Sequence, residues 1–379
     1  MKEKIKLPQY HDWWFDNALE FLGYLLEEIG VEVDWKDGIE FDYLDKSKIE
    51  QLVNNIGKLI KPKLTYHVTK NDGTTIDANR AYLPTMHKGK YVNFLGKDPK
   101  IKLEICVHLL SLTDSKKRKI CDICSDYYED DYKTSQVSQT IYPVATGSLK
   151  SQCGVRKMEP EYHACPKCAL LGSIEWLDDN PFACDTENLT NYILFPKIED
   201  MYELHTFKNE LREVVTQRRN SNIMGDSYMG KQGVLQEKYA RDEFSLLLLL
   251  FEQMKTIEHC DEWICLRISG TSPTYQTRNT YLEEIRIPNI HSLERIFRCI
   301  EMPYSNLVDK SFTKSLISDN INYNLTKENK YLMSKGIIMD DFKTFAKAFQ
   351  IRQNCILAGM QKEMIYPLIN LWRCKDGAI

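Results

Sequence analysis

The sequence CDIC at residues 121–124 and the sequence CPKC at residues 165–168 repeat one pattern, with forty residues between them. A two-residue spacer lets a tight turn point both sulfurs at one ion, and four tetrahedral thiolates at about 2.3 Å form a common closed zinc site. We therefore predict a zinc ribbon with one structural Zn²⁺ bound by Cys121, Cys124, Cys165 and Cys168. Four thiolates leave no coordination position for water, which argues against zinc catalysis.

Three other interpretations of the cysteine pairs stay open. A redox pair of the thioredoxin type uses one CxxC motif and leaves the second unexplained. Four cysteines can also bind an iron–sulfur cluster, although this spacing differs from common ferredoxin patterns. Finally, Cys153, His163 or Cys184 lies close enough in sequence to replace one of the four ligands.

Length, composition and cysteine content indicate a multidomain cytoplasmic protein. A chain of 379 residues exceeds one ordinary core, and 43% hydrophobic with 27% charged residues is normal for a globular protein. Twelve cysteines in such a chain argue against disulfides, and most of them, such as Cys106 and Cys265, are expected to be small buried side chains. The longest apolar run, residues 244–251, is shorter than the roughly 20 residues of a membrane span, so no membrane partner is expected.

The segment between the cysteine pairs is basic, although the chain has a net charge of −4. Residues 133–158 contain no Asp or Glu and are rich in Ser, Thr, Gln and Gly, which donate hydrogen bonds to phosphates. We predict that this segment and the cationic run before CDIC contact a nucleic-acid backbone through Lys116, Lys117, Arg118, Lys119, Lys150, Arg156 and Lys157. A solvated insertion without a partner is the alternative.

Two further loops carry candidate contacts to nucleic acid. Arg218, Arg219 and Lys231 lie beside Gly225, Gly230 and Gly233, which let a backbone approach a phosphate closely, although no nucleotide-binding fingerprint is present. Arg278 lies beside Tyr275 in an acid-free loop, a combination that suits base stacking. Ordinary surface loops remain the alternative for both.

The hydrophobic pattern predicts an α+β fold with a helix-rich C-terminal part. We expect a helix over residues 12–30 that Asp12 caps and Gly30 ends, a hairpin about the KDG turn at 36–38, and a helix over 46–60. Further helices are predicted over 200–217 and 234–257, with a strand at WICLRIS (263–269). From residue 292 the pattern is helical, with breaks near Pro303, over 318–324 and at Gly336, and with an αα-hairpin over 340–358 and 362–373.

These elements predict four regions. An N-terminal α+β domain covers residues 1–110, the zinc-ribbon insertion with its basic loop covers 111–185, an α/β continuation covers 186–290, and a helical region covers 291–379.

Catalytic signatures are weak in this sequence. Arg286 and His291 match the loose Arg-x₄-His pattern of some helical ribonucleases, but Pro288 between them disfavours a helix. His11 and Asp12 form an HD pair without the further His and Asp cluster that metal-dependent phosphohydrolases of that type need, so we interpret Asp12 as a helix cap. We expect a protein that is not an enzyme.

Four segments carry a family resemblance: WWFDNALEFLGYLLE at the N-terminal helix, CDIC, YPVATGSLK at residues 142–150, and ACPKCALLGSIEWL at residues 164–177. Together they resemble the CRISPR-associated CXXC-CXXC family, whose members are large subunits of type I (A/B-like) Cascade surveillance complexes. The resemblance covers the N-terminus and residues 115–180 best. Only the four cysteines at 121, 124, 165 and 168 match family positions residue by residue.

The resemblance implies a role in RNA-guided DNA recognition. It implies that the chain holds the 5′ end of a CRISPR RNA, reads the short motif (PAM) flanking a double-stranded DNA target, and contacts the other Cascade subunits. It also implies a docking surface for an effector nuclease-helicase or another downstream factor. Two other functions stay open: a zinc-ribbon ribonuclease or nuclease, and a zinc-ribbon scaffold that binds only proteins.

Overall fold

The structure is a computed structural model that combines helices and sheets, so the chain is α+β. It describes residues 4–69, 75–79, 86–87, 90–91, 119–128, 135–137, 141–143, 162–185, 190–221, 242–251, 260, 262–269, 281–288 and 327–348. The chain divides into two compact units, the first formed by residues 1–179, 198–209 and 268–284 and the second by 180–197, 210–267 and 285–379. Within the described residues, no helix has both the length and the apolarity needed to cross a membrane.

The first unit begins with a helix on a small sheet. Strand β1 (Lys4–Pro8) precedes helix α1 (Trp13–Glu28), which is followed by β2 (Val33–Asp34), β3 (Gly38–Asp42) and helix α2 (Lys46–Leu64). The strand order is β1-β3-β2 with antiparallel pairing, in which Ile5 faces Phe41 and Val33 also pairs with Phe41. The predicted hairpin and both predicted N-terminal helices are confirmed.

Both predicted ends of α1 are confirmed. The Asp12 side chain accepts hydrogen bonds from the backbone N–H groups of Trp14 and Phe15, which satisfies donors that a helix start leaves without intrahelical partners. Gly30 follows the helix with a φ of 71°, a left-handed conformation that glycine adopts without steric cost. The helix is buried along almost all of its length, with Leu19 and Leu22 among its least exposed side chains.

Short hairpins follow in the first unit. They are formed by β4 (Thr65–Thr69) with β5 (Thr75–Asn79), β6 (Met86–His87) with β7 (Lys90–Tyr91), and β8 (Lys119–Ile120) with β9 (Tyr127–Tyr128). Strand β10 (Ser135–Gln136) pairs antiparallel with β11 (His163–Ala164), which lies far along the chain. Helix α3 (Pro166–Ile174) and a 3₁₀ turn (Glu175–Leu177) come next.

A buried ionic cluster, which we call the Lys208 cluster, joins three elements of the first unit. Lys208 lies on α4 (Met201–Ser221), and its ammonium group is 2.7 Å from Asp178, 3.6 Å from Glu20 of α1 and 3.7 Å from Glu175 of the 3₁₀ turn. None of these four side chains is more than 1% exposed. Buried charges require such pairing, because removal from water without a partner costs several kcal/mol per ion.

Among the described residues, the second unit contains most of a four-stranded sheet, the C-terminal part of α4 and several further helices. The sheet has the order β12-β13-β14-β15, formed by Phe182–Asp185, Thr190–Lys197, Glu262–Ser269 and Tyr281–Pro288. The helices are α5 (Glu243–Phe251), α6 (Lys327–Ile338) and α7 (Phe342–Lys347). Strand β14 confirms the strand predicted at WICLRIS, and its residues Trp263, Ile264, Cys265 and Leu266 are fully buried.

Gly336 corrects a prediction from the sequence, because α6 continues through it and does not break there. A Cβ at this position would collide with the backbone of Phe345 on α7, so the glycine lets two helices approach closely.

The other predicted helices are observed to different extents. The helix predicted over 200–217 is observed as α4, whereas of the predicted 234–257 helix the part at 243–251 is observed. Of the first helix of the αα-hairpin, the part at 342–347 is observed, and residues 349–358 lie outside the described residues. The predicted breaks at Pro303 and 318–324, and the segment 362–373, lie outside the described residues. The boundaries of the four predicted regions stay a prediction.

Candidate metal centre

Four cysteines from the two distant CxxC motifs meet in the first unit. The sulfur atoms of Cys121, Cys124, Cys165 and Cys168 all lie within 4.8 Å of one another. The sulfurs of Cys124 and Cys165 are 3.8 Å apart. A tetrahedron with metal–sulfur bonds of about 2.3 Å has edges of about 3.8 Å, so the spacing across the two motifs fits one tetrahedral ion.

The first pair of cysteines lies on a β-hairpin. Strands β8 and β9 bring Ile120 opposite Tyr127, and Cys121 directly follows β8. The turn is closed by backbone hydrogen bonds from Cys121 N–H to the Asp126 carbonyl and from Ser125 N–H to the Cys121 carbonyl, at 2.8 and 2.9 Å. The Ile123 N–H donates to the Cys121 sulfur at 3.4 Å, a contact that stabilises a thiolate.

The second pair of cysteines lies at the N-terminus of helix α3. Cys165 is the N-cap of α3, and its sulfur accepts a hydrogen bond from the Cys168 N–H at 3.4 Å. Pro166 is the first helical residue, where its missing N–H has no cost. The positive end of the helix dipole favours the thiolate forms of both cysteines.

Direct contacts join the hairpin to the helix. The Cys165 N–H donates to the Cys121 sulfur at 3.2 Å. Two hydrogen bonds join Asp122 and His163. The backbone N–H of Asp122 donates to the His163 carbonyl at 2.9 Å, and the backbone N–H of His163 donates to the Asp122 carboxylate at 2.6 Å. Lys167 forms an ion pair with Asp126 at 2.6 Å. The chain therefore positions the four sulfurs through its own hydrogen bonds.

The sulfurs interact electrostatically with one another and with a lysine. A hydrogen bond between Cys124 and Cys121 lowers the pKa of Cys121 and raises the pKa of Cys124. Burial alone would lower the pKa of Lys167, but the charge of Cys124 and the hydrogen bond to Asp126 outweigh burial and raise the pKa, so the ammonium stays charged beside the sulfurs. A positive charge at this position would offset part of the excess negative charge if the four thiolates bound a divalent ion.

Tyr10 links the metal centre to the start of α1. Its hydroxyl lies 3.5 Å from the sulfur of Cys168, and its ring packs against Phe15 of α1 with centroids 5.2 Å apart. Burial, and then the negative charge of Cys168, raise the pKa of Tyr10 well above its ordinary value. Tyr10 therefore stays a neutral phenol at physiological pH and can donate to the sulfur.

Aromatic packing also connects α3 to α1. Trp14 donates from its indole nitrogen to the carbonyl of Ile141 at 2.8 Å, and its ring contacts Trp176 edge to face at 4.7 Å. Gly172 of α3 lies against the backbone of Ile141, where a Cβ would collide. The metal centre is thus part of the core of the first unit.

The donor set is compatible with one metal ion in a closed site. All four donors are sulfur, and the side chains of Cys121, Cys165 and Cys168 are buried while Cys124 is half-buried. Within the described residues, the cysteines are the only cluster with metal-ligand geometry, and His163 does not belong to it.

The two other predicted substitute ligands are not tested. Cys184 lies on β12, but its side chain is not among those described. Cys153 lies outside the described residues.

The basic residues predicted to contact nucleic acid fall mostly outside the described part of the chain. Lys119 lies on β8 with its side chain exposed. Arg218 and Arg219 lie on α4, but their side chains are not among those described. Lys116, Lys117, Arg118, Lys150, Arg156, Lys157, Lys231 and Arg278 lie outside the described residues, so these contacts stay a prediction.

The ribonuclease pattern does not form a helical site in the described residues. Arg286 lies on strand β15, as the proline between it and His291 suggested, and His291 lies outside the described residues.

Sequence reasoning missed the groups around the sulfurs. Tyr10, Asp122, Asp126 and Lys167 all contact a cysteine or its neighbours, yet Asp126 and Tyr10 lie outside the two CxxC motifs. Lys167 within the second motif was a usable signal, since a residue between two cysteines of a CxxC motif lies close to their sulfurs.

No protein-family model matches the chain, and the search of curated proteins finds no match either.

Proposed function

We propose that Cys121, Cys124, Cys165 and Cys168 bind one structural Zn²⁺ ion. Four sulfur donors at tetrahedral spacing suit zinc, and the closed site leaves no room for a reacting water. The bound ion would hold the hairpin of β8 and β9 against the first turn of α3. Its contribution is mechanical, because the ion fixes the two ends of the intervening segment.

We further propose that the chain is the non-catalytic large subunit of a CRISPR RNA-guided type I surveillance complex. In this role it contacts the 5′ end of the guide RNA and the flanking motif of the DNA target, and it offers a docking surface for the effector. The observation that carries the proposal is the convergence of the two CxxC motifs, because these motifs are also the residues that carry the family resemblance.

The sequence that contains Lys150, Arg156 and Lys157 is held on both sides by contacts of the described residues, and this supports a contact with nucleic acid. Gln136 of β10 pairs with His163 of β11, and the ligand Cys165 directly follows the end of β11. On the N-terminal side of Lys150, the Ile141 carbonyl accepts a hydrogen bond from the Trp14 indole, and the Tyr142 hydroxyl donates to Asp12 at 2.8 Å. The acid-free sequence that follows, which contains Lys150, Arg156 and Lys157, is therefore attached to fixed points.

Lys150, Arg156 and Lys157 are better test residues than the cationic run before CDIC. In the sequence, Lys116, Lys117 and Arg118 precede β8, whereas Glu129, Asp130 and Asp131 follow β9, so opposite charges flank the hairpin in equal number. The segment with Lys150 has no such acidic counterpart between residues 133 and 158.

The test measures binding of labelled guide RNA and duplex DNA to the zinc-loaded chain over a range of salt concentrations. Changing Lys150, Arg156 and Lys157 to Ala should weaken binding and reduce the slope of log K against log salt by about 2 to 3, because each of the three lost phosphate contacts removes about 0.7–0.9. A matched control changes three exposed lysines elsewhere, Lys46, Lys58 and Lys343, to Ala and should leave the slope unchanged.

Three results would contradict the proposal. Equal slopes for the two triple variants would remove the basic segment from the interface. Cleavage of the RNA or DNA with Mg²⁺ or Mn²⁺, abolished by His291→Ala, would instead identify a nuclease. Absence of salt-sensitive binding by the chain, alone or with the other Cascade subunits, would identify a scaffold that binds only proteins.

A further inference from the structure

A groove with a volume of about 660 Å³ lies in the first unit, beside the sheet of β1, β3 and β2. Residues 30–35 form one stretch of its lining and residues 40–45 another, with Lys4, Lys48 and Tyr202 completing it. Among the described strands, β2 is at the edge of this sheet, in the order β1-β3-β2, and pairs with β3 on one side. Edge strands of this kind can accept an added strand from another chain.

The lining of the groove is strongly acidic. Five carboxylates face two ammonium groups, which gives a formal charge of −3: Glu32, Asp34, Glu40, Asp42 and Asp45 against Lys4 and Lys48. Lys4 is held by Glu40 at 2.7 Å, and Lys48 donates to the carbonyl of Ile29. Both cations therefore have partners of their own, and Lys36, which does not line the groove, lies 3.4 Å from Asp34. The carboxylates still outnumber the cations, so the field in the groove favours a positively charged occupant.

Aromatic side chains line the same groove. Tyr43 and Tyr202 are 45% and 64% exposed, high values for large side chains. Trp35 is buried and held in place, because its ring stacks on His205 at 3.9 Å and its indole donates to Glu27 at 3.0 Å. Aromatic faces attract the guanidinium of arginine and the ammonium of lysine, so the aromatic and the acidic lining select the same ligand chemistry.

The carboxylates do not form a metal site. Within the part of the chain that the structure describes, only the four cysteines bring three or more ligand atoms within reach of one ion. The acidic groups of the groove therefore do not converge on one point, which suits several cations on one extended molecule better than a single ion. A phosphate backbone is disfavoured by the same negative charge.

We propose that this groove binds an extended, arginine-rich segment of a partner protein, with cationic side chains over Tyr43 and Tyr202 and the segment along β2. The proposal goes beyond the nucleic-acid role and does not depend on it, because the groove and the metal centre share no residue.

The experiment uses the full chain loaded with Zn²⁺ and a short fluorescein-labelled oligoarginine peptide, with binding followed by fluorescence anisotropy. Tyr43→Ala and Tyr202→Ala should each weaken binding about two- to fivefold, the range of a cation–π contact at an exposed site. Glu32→Gln combined with Asp34→Asn should weaken binding and lower its salt dependence. Thermal unfolding of each variant establishes that it is folded.

Matched control variants distinguish binding in the groove from non-specific attraction of the peptide to the acidic and aromatic residues elsewhere on the surface. Tyr127 is 56% exposed on β9 and does not line the groove, so Tyr127→Ala should leave binding unchanged. Glu50→Gln combined with Glu328→Gln removes two exposed carboxylates elsewhere and should also have no effect. The proposal is overturned if the wild-type chain does not bind the peptide or if the controls lose as much affinity as the groove variants. It is equally overturned if the tyrosine changes impair only binding of a labelled single-stranded RNA.

Discussion

Six cysteine side chains are described by the structure, four at the metal centre and two, Cys260 and Cys265, in the second unit. The sulfurs of the metal centre face one another at the distances of a shared ion. In contrast, Cys265 lies inside β14, where burial raises its pKa, and the Cys260 thiol donates to the carbonyl of Glu262 at 3.1 Å. The spacing of the sulfurs, rather than their burial, therefore distinguishes a ligand cysteine from a packing cysteine, since both kinds are buried.

The largest expected effect removes the thiolates of the metal centre. Cys121→Ser combined with Cys165→Ser should abolish metal binding and unfold the region around α3, because structural Zn²⁺ contributes about 10–16 kcal/mol in small zinc-finger peptides. Elemental analysis and chemical denaturation measure both results. Cys260→Ser is the matched control, because serine can keep the hydrogen bond to Glu262, and it should leave the metal content unchanged. Metal retained by the double variant would contradict the assignment of the ligands.

A smaller effect is expected from the Lys208 cluster. Lys208→Met should lower the free energy of unfolding by about 3–5 kcal/mol, because Glu20, Glu175 and Asp178 would keep buried charges without this cation. Urea denaturation measures the change. Lys4→Met, which breaks the exposed pair with Glu40, should have no measurable effect. Similar losses of unfolding free energy for Lys208→Met and Lys4→Met would show that the buried ion pairs of Lys208 contribute no more to stability than an exposed pair.

The second unit should respond to pH through Glu243. Burial, and then the charge of Asp242, raise the pKa of Glu243 from 4.5 to about 7. Between these two values the folded chain keeps a proton that the unfolded chain releases, so stability falls as pH rises, by about 3 kcal/mol in total. Glu243→Gln should remove this part of the pH dependence in denaturation curves. If Glu243→Gln left the slope of unfolding free energy against pH unchanged between pH 4.5 and about 7, this result would contradict the raised pKa of Glu243.

The smallest expected effect compares two glycines of the first unit. Gly172→Ala should destabilise the protein by about 1–3 kcal/mol, because the added methyl group meets the backbone of Ile141. Gly57→Ala on α2 has open space and should stabilise the protein by about 0.5–1 kcal/mol, since alanine favours the helix. Thermal unfolding of both variants checks the contrast. Equal shifts in melting temperature for the two variants would show that α3 does not pack on Ile141 as described.

Local signals in the sequence predicted much of the N-terminal fold. The Asp12 cap, the end of α1 at Gly30 and the hairpin about residues 36–38 each depend on a few neighbouring residues, and all three are confirmed. The convergence of the cysteines was also predictable, because one tetrahedral ion would impose the same geometry on both motifs.

Features that depend on residues far apart in sequence could not be predicted. The Lys208 cluster joins α1, the 3₁₀ turn and α4, and no local pattern indicates that these elements meet. Gly336 in isolation indicates a helix break, but its role is to admit the backbone of Phe345 from another helix. Similarly, the placement of Cys165 at a helix N-terminus depends on the residues after CPKC and not on the motif alone.

The most direct test of the metal centre is X-ray absorption at the zinc edge, combined with elemental analysis of the purified chain. One Zn²⁺ per chain with four sulfur neighbours at about 2.3 Å is the predicted result. A chain that folds and assembles without stoichiometric metal, or an ion surrounded by nitrogen and oxygen, would contradict the central claim.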